Sequence, residues 1–110
     1  MINDNKLGNE MTDKQSEFII EEAKKDNLPT IIVGDFNLVP ESKSIQLITE
    51  HFRNLPVEYN LKTTRPASSD KGNQVIDHIF VNDKIDVKEF KAIDSETSDH
   101  LPLIMDFDIK

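Results

Sequence analysis

The chain has no cysteine, which excludes disulfides and thiolate metal sites and suits a reducing compartment. It lacks any apolar stretch long enough to cross a bilayer, and its start, Met1-Ile2-Asn3-Asp4-Asn5-Lys6, is polar and unlike a secretory signal. As written, the expectation is a cytoplasmic protein with no membrane span, while a full-length parent is free to be exported. Positive charge is scarce too: 13 lysines and arginines stand against 21 aspartates and glutamates, a net charge of −8. A protein that grips a phosphate backbone with its own basic side chains is usually basic, because neutralised phosphates release counterions. The balance argues against a stand-alone nucleic-acid binder and leaves open an acidic site that meets phosphate esters through a divalent cation. With 110 residues, 36% of them hydrophobic, there is room for one globular domain with a modest core.

What is present centres on Thr30-Ile31-Ile32-Val33-Gly34-Asp35-Phe36-Asn37. A β-branched run stops at a glycine and delivers a carboxylate and a carboxamide two residues apart. Read as a buried parallel strand, it opens at its carboxyl end into the crevice where α/β sheets place ligands. That makes Asp35 and Asn37 candidate site residues. The bland alternative is a turn, for which Gly, Asp and Asn are common.

Residues 1–11 are polar and without period, so a ragged end is expected. Thr12 with Gln15 matches a capping box that opens a helix with Phe18, Ile19 and Ala23 inward and Glu21 paired to Lys25 outside, stopped by Asn27 and Pro29. A second helix has Pro40 in its first turn and Ile45, Leu47, Ile48 and Phe52 on its buried side, with Asn54 and Pro56 ending it. His51 reads as a surface residue. Leu61 to Thr64 suggests a short strand, 65–74 a polar loop, and Val75 to Val81 a strand joined by a hairpin at 82–84 to a partner over 85–93. In a last strand Leu101, Leu103, Met105 and Phe107 alternate with Pro102, Ile104, Asp106 and Asp108, so that one face is more apolar than the other.

Asp77 sits mid-strand on the side of Val75, Ile79 and Val81. An unpartnered carboxylate there costs several kcal/mol, so a histidine, a donor or a metal must meet it. Ser98-Asp99-His100, just before the last strand, offers the answer: a carboxylate on one imidazole nitrogen sets the tautomer and readies the other for a substrate oxygen. Taken singly, Asp99 reads as a turn cap, His100 as a strand-start histidine and His78 as a packed or edge residue. Three polar clusters at the ends of three apolar strands are the stronger sign.

Gly34-Asp35-Phe36-Asn37, Ile76-Asp77-His78-Ile79-Phe80 and Ser98-Asp99-His100-Leu101-Pro102-Leu103, in this order and spacing, resemble the carboxyl-terminal motifs of the endonuclease/exonuclease/phosphatase superfamily, the deoxyribonuclease I-like fold. The resemblance runs from about Thr12 to Phe107 and covers the second half of a family domain. It implies an α/β (α+β) fold, half of an α/β sandwich, with one mixed sheet and helices on its outer face. It also implies a divalent-metal-dependent phosphoesterase that hydrolyses phosphodiesters or phosphomonoesters with activated water. On that reading Asp35 orients or deprotonates the water and Asn37 holds a phosphate oxygen. Asp77 orients His100, His100 contacts the scissile phosphate, and Asp99 with Asp35 binds Mg²⁺ or Mn²⁺. Such hard oxygen donors with neutral imidazole suit these ions. Arg65 is a further candidate for the substrate phosphate.

The family's amino-terminal half, with its metal-binding glutamate, is not in the pattern. Two expectations follow. One sheet face is left uncovered, so the partner is a second copy in a homodimer or the missing amino-terminal half. Activity of this chain alone is weak or absent. The alternative reading is a non-catalytic binding or assembly module whose anion pocket uses Asn37, His100 and Arg65 or Lys71. The candidate substrates are small phosphoesters, phospholipid head groups or nucleic acid, with the acidic balance favouring the first two.

Overall fold

The computed structural model describes residues 7–69, 72–95 and 98–110. The elements are α1 (Glu10–Ala23), β1 (Ile31–Asp35), α2 (Lys43–Thr49), β2 (Arg53–Asn54), α3 (Leu55–Glu58), β3 (Asp77–Val81), β4 (Ile85–Ala92) and β5 (Leu103–Ile109).

Helix α1 starts earlier than its capping signal suggests. Asn9 is the N-cap, its side chain accepting from the Thr12 amide, while the Thr12 hydroxyl accepts from the Asn9 amide. Thr12 closes the box from inside the helix instead of opening it. Gly8 precedes the cap at φ +78°, and a Cβ there would stand 2.5 Å from Thr12 Oγ1. Residues 7–11 are therefore committed to the helix start. The rest of the expected ragged end, residues 1–6, lies outside the described residues. The inward side also differs: Ile20 and Ala23 reach the core while Phe18 is 62% exposed, and Lys25 pairs with Glu22 instead of Glu21. Helix α2 is capped by Ser42, so Pro40 precedes it. Pro56 stops nothing; it sits in the first turn of α3, where a missing amide hydrogen is harmless.

The chain has the expected α/β character, but its strands form two antiparallel sheets in place of one mixed sheet. The first has the order β1-β3-β2 and the second pairs β4 with β5. The Ile31–Asp35 segment is thus antiparallel, opposite Val81–Asp77, and lies at an edge with Val33 61% exposed. Its β-branched run is only partly buried: Ile32 packs toward the helices and Ile31 toward the second sheet, while Val33 is left open.

Strand β3 is the central one, and that placement explains why no hairpin forms at 82–84. Val81 already pairs with Ile31 on one edge and with Arg53 on the other, so no edge remains for β4, which turns away to pair with β5. The Asn82 side chain fixes this departure by accepting from the amides of Thr30 and Lys84.

Both faces of β3 are covered. Phe80 packs with Leu38, Ile45, Ile48 and Phe52 beneath the helices, while Ile79 and Val81 pack with Leu55, Ile85 and Phe90 and with Leu103 and Met105 of the second sheet. Val33, Phe107 and Ile109 oppose the inward-facing Ile79, Val87 and Ile85, yet they stay 61%, 39% and 64% exposed. The space between the sheets therefore opens toward the outer strands β1 and β5.

His78 is wholly buried among the core side chains, and removal from water lowers its pKa below 6.5, partly opposed by its bond to the Leu38 carbonyl and by the Asp77 and Asp35 charges. The unfolded chain therefore binds this proton more readily than the folded one. Stability from this group is complete above about pH 6.5 and falls as pH drops below it, by up to about 1.4 kcal/mol per pH unit. Urea midpoints between pH 7.5 and 5 should show this slope, and His78→Gln should flatten it. An equally steep slope in the variant would assign the effect to other groups.

Candidate active site

The antiparallel register sets Asp35 of β1 directly opposite Asp77 of β3. Like charges opposed across a ladder repel. Here His100 stands between them, with Nδ1 2.8 Å from Asp77 Oδ2 and Nε2 3.4 Å from Asp35 Oδ2. The Asp77 side chain is 15% exposed, His100 34% and Asp35 51%, so the array runs from the sheet out to solvent.

Each member is held by the backbone around it. Asn37 adopts φ +53°, a left-handed conformation that Asn tolerates better than most residues, and its amide donates to Asp35 Oδ1 at 3.0 Å. The segment after β1 is a turn, then, and the turn aims Asp35, leaving Oδ2 for His100. Turn and site are one feature.

His100 reaches Asp77 through Thr64, which sequence reasoning placed in a short strand. Residues 61–64 form no strand. Thr64 is buried, its carbonyl accepts from the Leu101 amide at 2.7 Å, and its hydroxyl accepts from the amides of Ile76 and Asp77 at 3.1 and 3.3 Å. One residue thus ties the start of β3 to the chain just past His100. The two consecutive threonines before Arg65-Pro66 were the only local sign, and a weak one. Thr64→Val keeps the shape but strands the buried Ile76 amide and the part-buried Asp77 amide, and should destabilise the chain by about 1–3 kcal/mol in urea unfolding. An unchanged midpoint would show that the hydroxyl is dispensable.

The structure brings together four of the six candidate residues: Asp35, Asn37, Asp77 and His100. Asp99 is exposed on the bend beside His100, outside the group of ligand atoms that Asp35, Asp77 and His100 bring within 4.8 Å of one another. Arg65 is buried, with Nε donating to Gln74 Oε1 at 2.9 Å. It lines a separate cavity of about 470 Å³ with Tyr59, Lys62, Asp94 and Leu101. Its position is that of an anchor, because its guanidinium holds the Gln74 side chain. Lys71 lies outside the described residues. His51 stays at the surface, its Nδ1 accepting from Lys24 Nζ.

The donor set fits a hard divalent cation. With Nδ1–H given to Asp77, a neutral imidazole has a lone pair on Nε2, and it faces the Asp35 carboxylate at 3.4 Å. Two acceptors this close call for a proton or a cation between them.

The sequence model of the endonuclease/exonuclease/phosphatase family matches residues 10–100. Among curated proteins no sequence matches. Solved structures do. An endonuclease/exonuclease/phosphatase from Bacteroides vulgatus is 21% identical with a TM-score of 0.72, and the match covers 94% of this chain and 46% of that one. A conserved protein of unknown function from Enterococcus faecalis V583 is 20% identical with a TM-score of 0.75, covering 100% and 48%. A mannosyl-6-phosphatase from Bacteroides thetaiotaomicron VPI-5482 is 22% identical with a TM-score of 0.70, covering 94% and 48%. The chain spans a little under half the length of these structures, and at such identities the likeness is one of fold.

Proposed function

Since the chain belongs to the endonuclease/exonuclease/phosphatase family, we propose that it carries the carboxyl-terminal part of a divalent-metal-dependent phosphoesterase site. The observation that carries this reading is the Asp77–His100–Asp35 array at 2.8 and 3.4 Å. Asp77 holds the imidazole in the tautomer that presents Nε2 outward. With a proton on Nε2 as well as on Nδ1, His100 donates to a phosphate oxygen as charge builds on it, the Asn37 side-chain amide donates to another, and Asp35 orients the attacking water and accepts its proton. Mg²⁺ or Mn²⁺, held by Asp35 with Asp99 from the adjoining bend, supplies charge neutralisation and a more acidic water when bound.

A small phosphate monoester is the favoured substrate class. The net charge of −8 disfavours a polyanion, and one solved relative is named for action on a sugar phosphate. Alone, the chain should hydrolyse p-nitrophenyl phosphate slowly, only with Mg²⁺ or Mn²⁺, and Asp35→Asn should abolish both turnover and the heat of cation binding. A non-catalytic anion module is the second reading, favoured by the position of Asp99 outside the ligand group that Asp35, Asp77 and His100 form among the described residues. Calorimetry separates them: ester binding that needs the cation supports the enzyme, and ester binding that ignores both the cation and Asp35→Asn overturns it.

A further inference from the structure

His78 performs none of the chemistry assigned above, yet it is fully buried directly beneath the segment that carries Asp35 and Asn37. Its polar atoms are both engaged. Nε2 lies 2.8 Å from the Leu38 carbonyl oxygen, and since a carbonyl only accepts, Nε2 carries the proton. Nδ1 is then the acceptor, and Asn54 Nδ2 faces it at 3.4 Å. Asn54 is itself buried, and among the described residues its Oδ1 has no hydrogen-bond partner, so its amide is turned toward the ring at the expense of the oxygen.

The ring also holds Phe36, the residue between Asp35 and Asn37. Phe36 meets it edge-on, with centroids 5.7 Å apart and planes at 71°, and meets Phe80 in the same way at 5.8 Å. Phe80 stacks with His78 from the adjoining position on that face of β3, at 5.9 Å and 28°. In the ladder His78 stands opposite Gly34. One side chain therefore reaches the turn at two points, through packing under Phe36 and through a hydrogen bond at Leu38, one on each side of Asn37. The left-handed conformation of Asn37, with its amide donating to Asp35 Oδ1, is thus braced on both flanks by His78.

We propose that His78 is the positioning residue of this site: its Nε2–H on Leu38 and its ring under Phe36 set the Asn37 turn, and through it the Asp35 carboxylate. The inference rests on the phosphoesterase reading for its purpose but on geometry alone for its existence. Groups that support metal or catalytic residues from behind typically matter by about 10–100-fold in affinity or activity when removed.

The test compares wild type, His78→Phe and His78→Gln. Phenylalanine keeps an aromatic ring and loses the donor. Glutamine can place Nε2–H near Leu38 and Oε1 near Asn54. Two readouts are taken on folded protein: exchange of the Asn37 amide by NMR and Mn²⁺ affinity by relaxation titration. His78→Phe should speed Asn37 exchange and weaken Mn²⁺ binding, each about tenfold or more, with His78→Gln restoring both toward wild type. Wild-type exchange and affinity in His78→Phe would overturn the proposal. Should that variant not fold, the nitrogen shifts of His78 in the wild-type chain decide: an Nε2–H tautomer with a slowly exchanging proton supports it, and an Nδ1–H tautomer overturns it. If the wild-type chain binds no Mn²⁺, the phosphoesterase reading fails by itself, and Asn37 exchange still judges the role of His78.

Discussion

Phe80→Ala should lower the unfolding free energy by about 3–5 kcal/mol, as for other fully buried phenylalanines, a large share of the chain's stability. Small domains hold only about 5–15 kcal/mol in total. Phe80 is fully buried in the central strand, in one cluster with Leu38, Ile45, Ile48 and Phe52. It also meets Phe36 edge-on and stacks on His78. Neighbours on four separate segments cannot collapse together into the space, so the full cavity term applies. Urea unfolding followed by circular dichroism measures the loss, and a change below about 1 kcal/mol would contradict this account of the core.

The second large effect is on chemistry. His100→Ala should reduce metal-dependent hydrolysis of p-nitrophenyl phosphate by about 10²–10³-fold, the range for losing one preorganised group at a developing oxyanion. Asp77→Asn should cost less, about 10–100-fold, since the imidazole stays but loses the acceptor that sets its tautomer. The two changes should also part in stability. Without the imidazole, Asp35 and Asp77 face each other unscreened across the ladder, so His100→Ala should be destabilised at neutral pH and partly recovered by added salt. Asp77→Asn removes one of the two charges and should show no such recovery. Wild-type turnover in His100→Ala would remove His100 from the mechanism.

How legible these residues were depended on the range of the forces that place them. The pairing of Asp77 with His100 could be expected because a buried carboxylate must find a partner, and the partner is 2.8 Å away. The Ser42 cap and the helical start at Pro56 depend on a few neighbouring residues. Both went unrecognised because Pro40 and Pro56 suited more than one local structure. Arg65 looked like an anion ligand since no local feature tells a buried guanidinium from an exposed one. Its bond to Gln74 joins residues nine positions apart in sequence.

By itself the chain determined which segments are apolar, where polar clusters interrupt them, that no thiol chemistry is available, and which side chains are capable of phosphate-ester chemistry. These are properties of residue type and near-neighbour spacing, and they survive in any tertiary arrangement. Only the tertiary structure decided which strands pair. The occupation of both edges of β3 sends β4 to β5, and the antiparallel register puts Asp35 across from Asp77 with His100 between them. Register is a contest among all available edges and faces at once. No stretch of sequence holds its outcome alone.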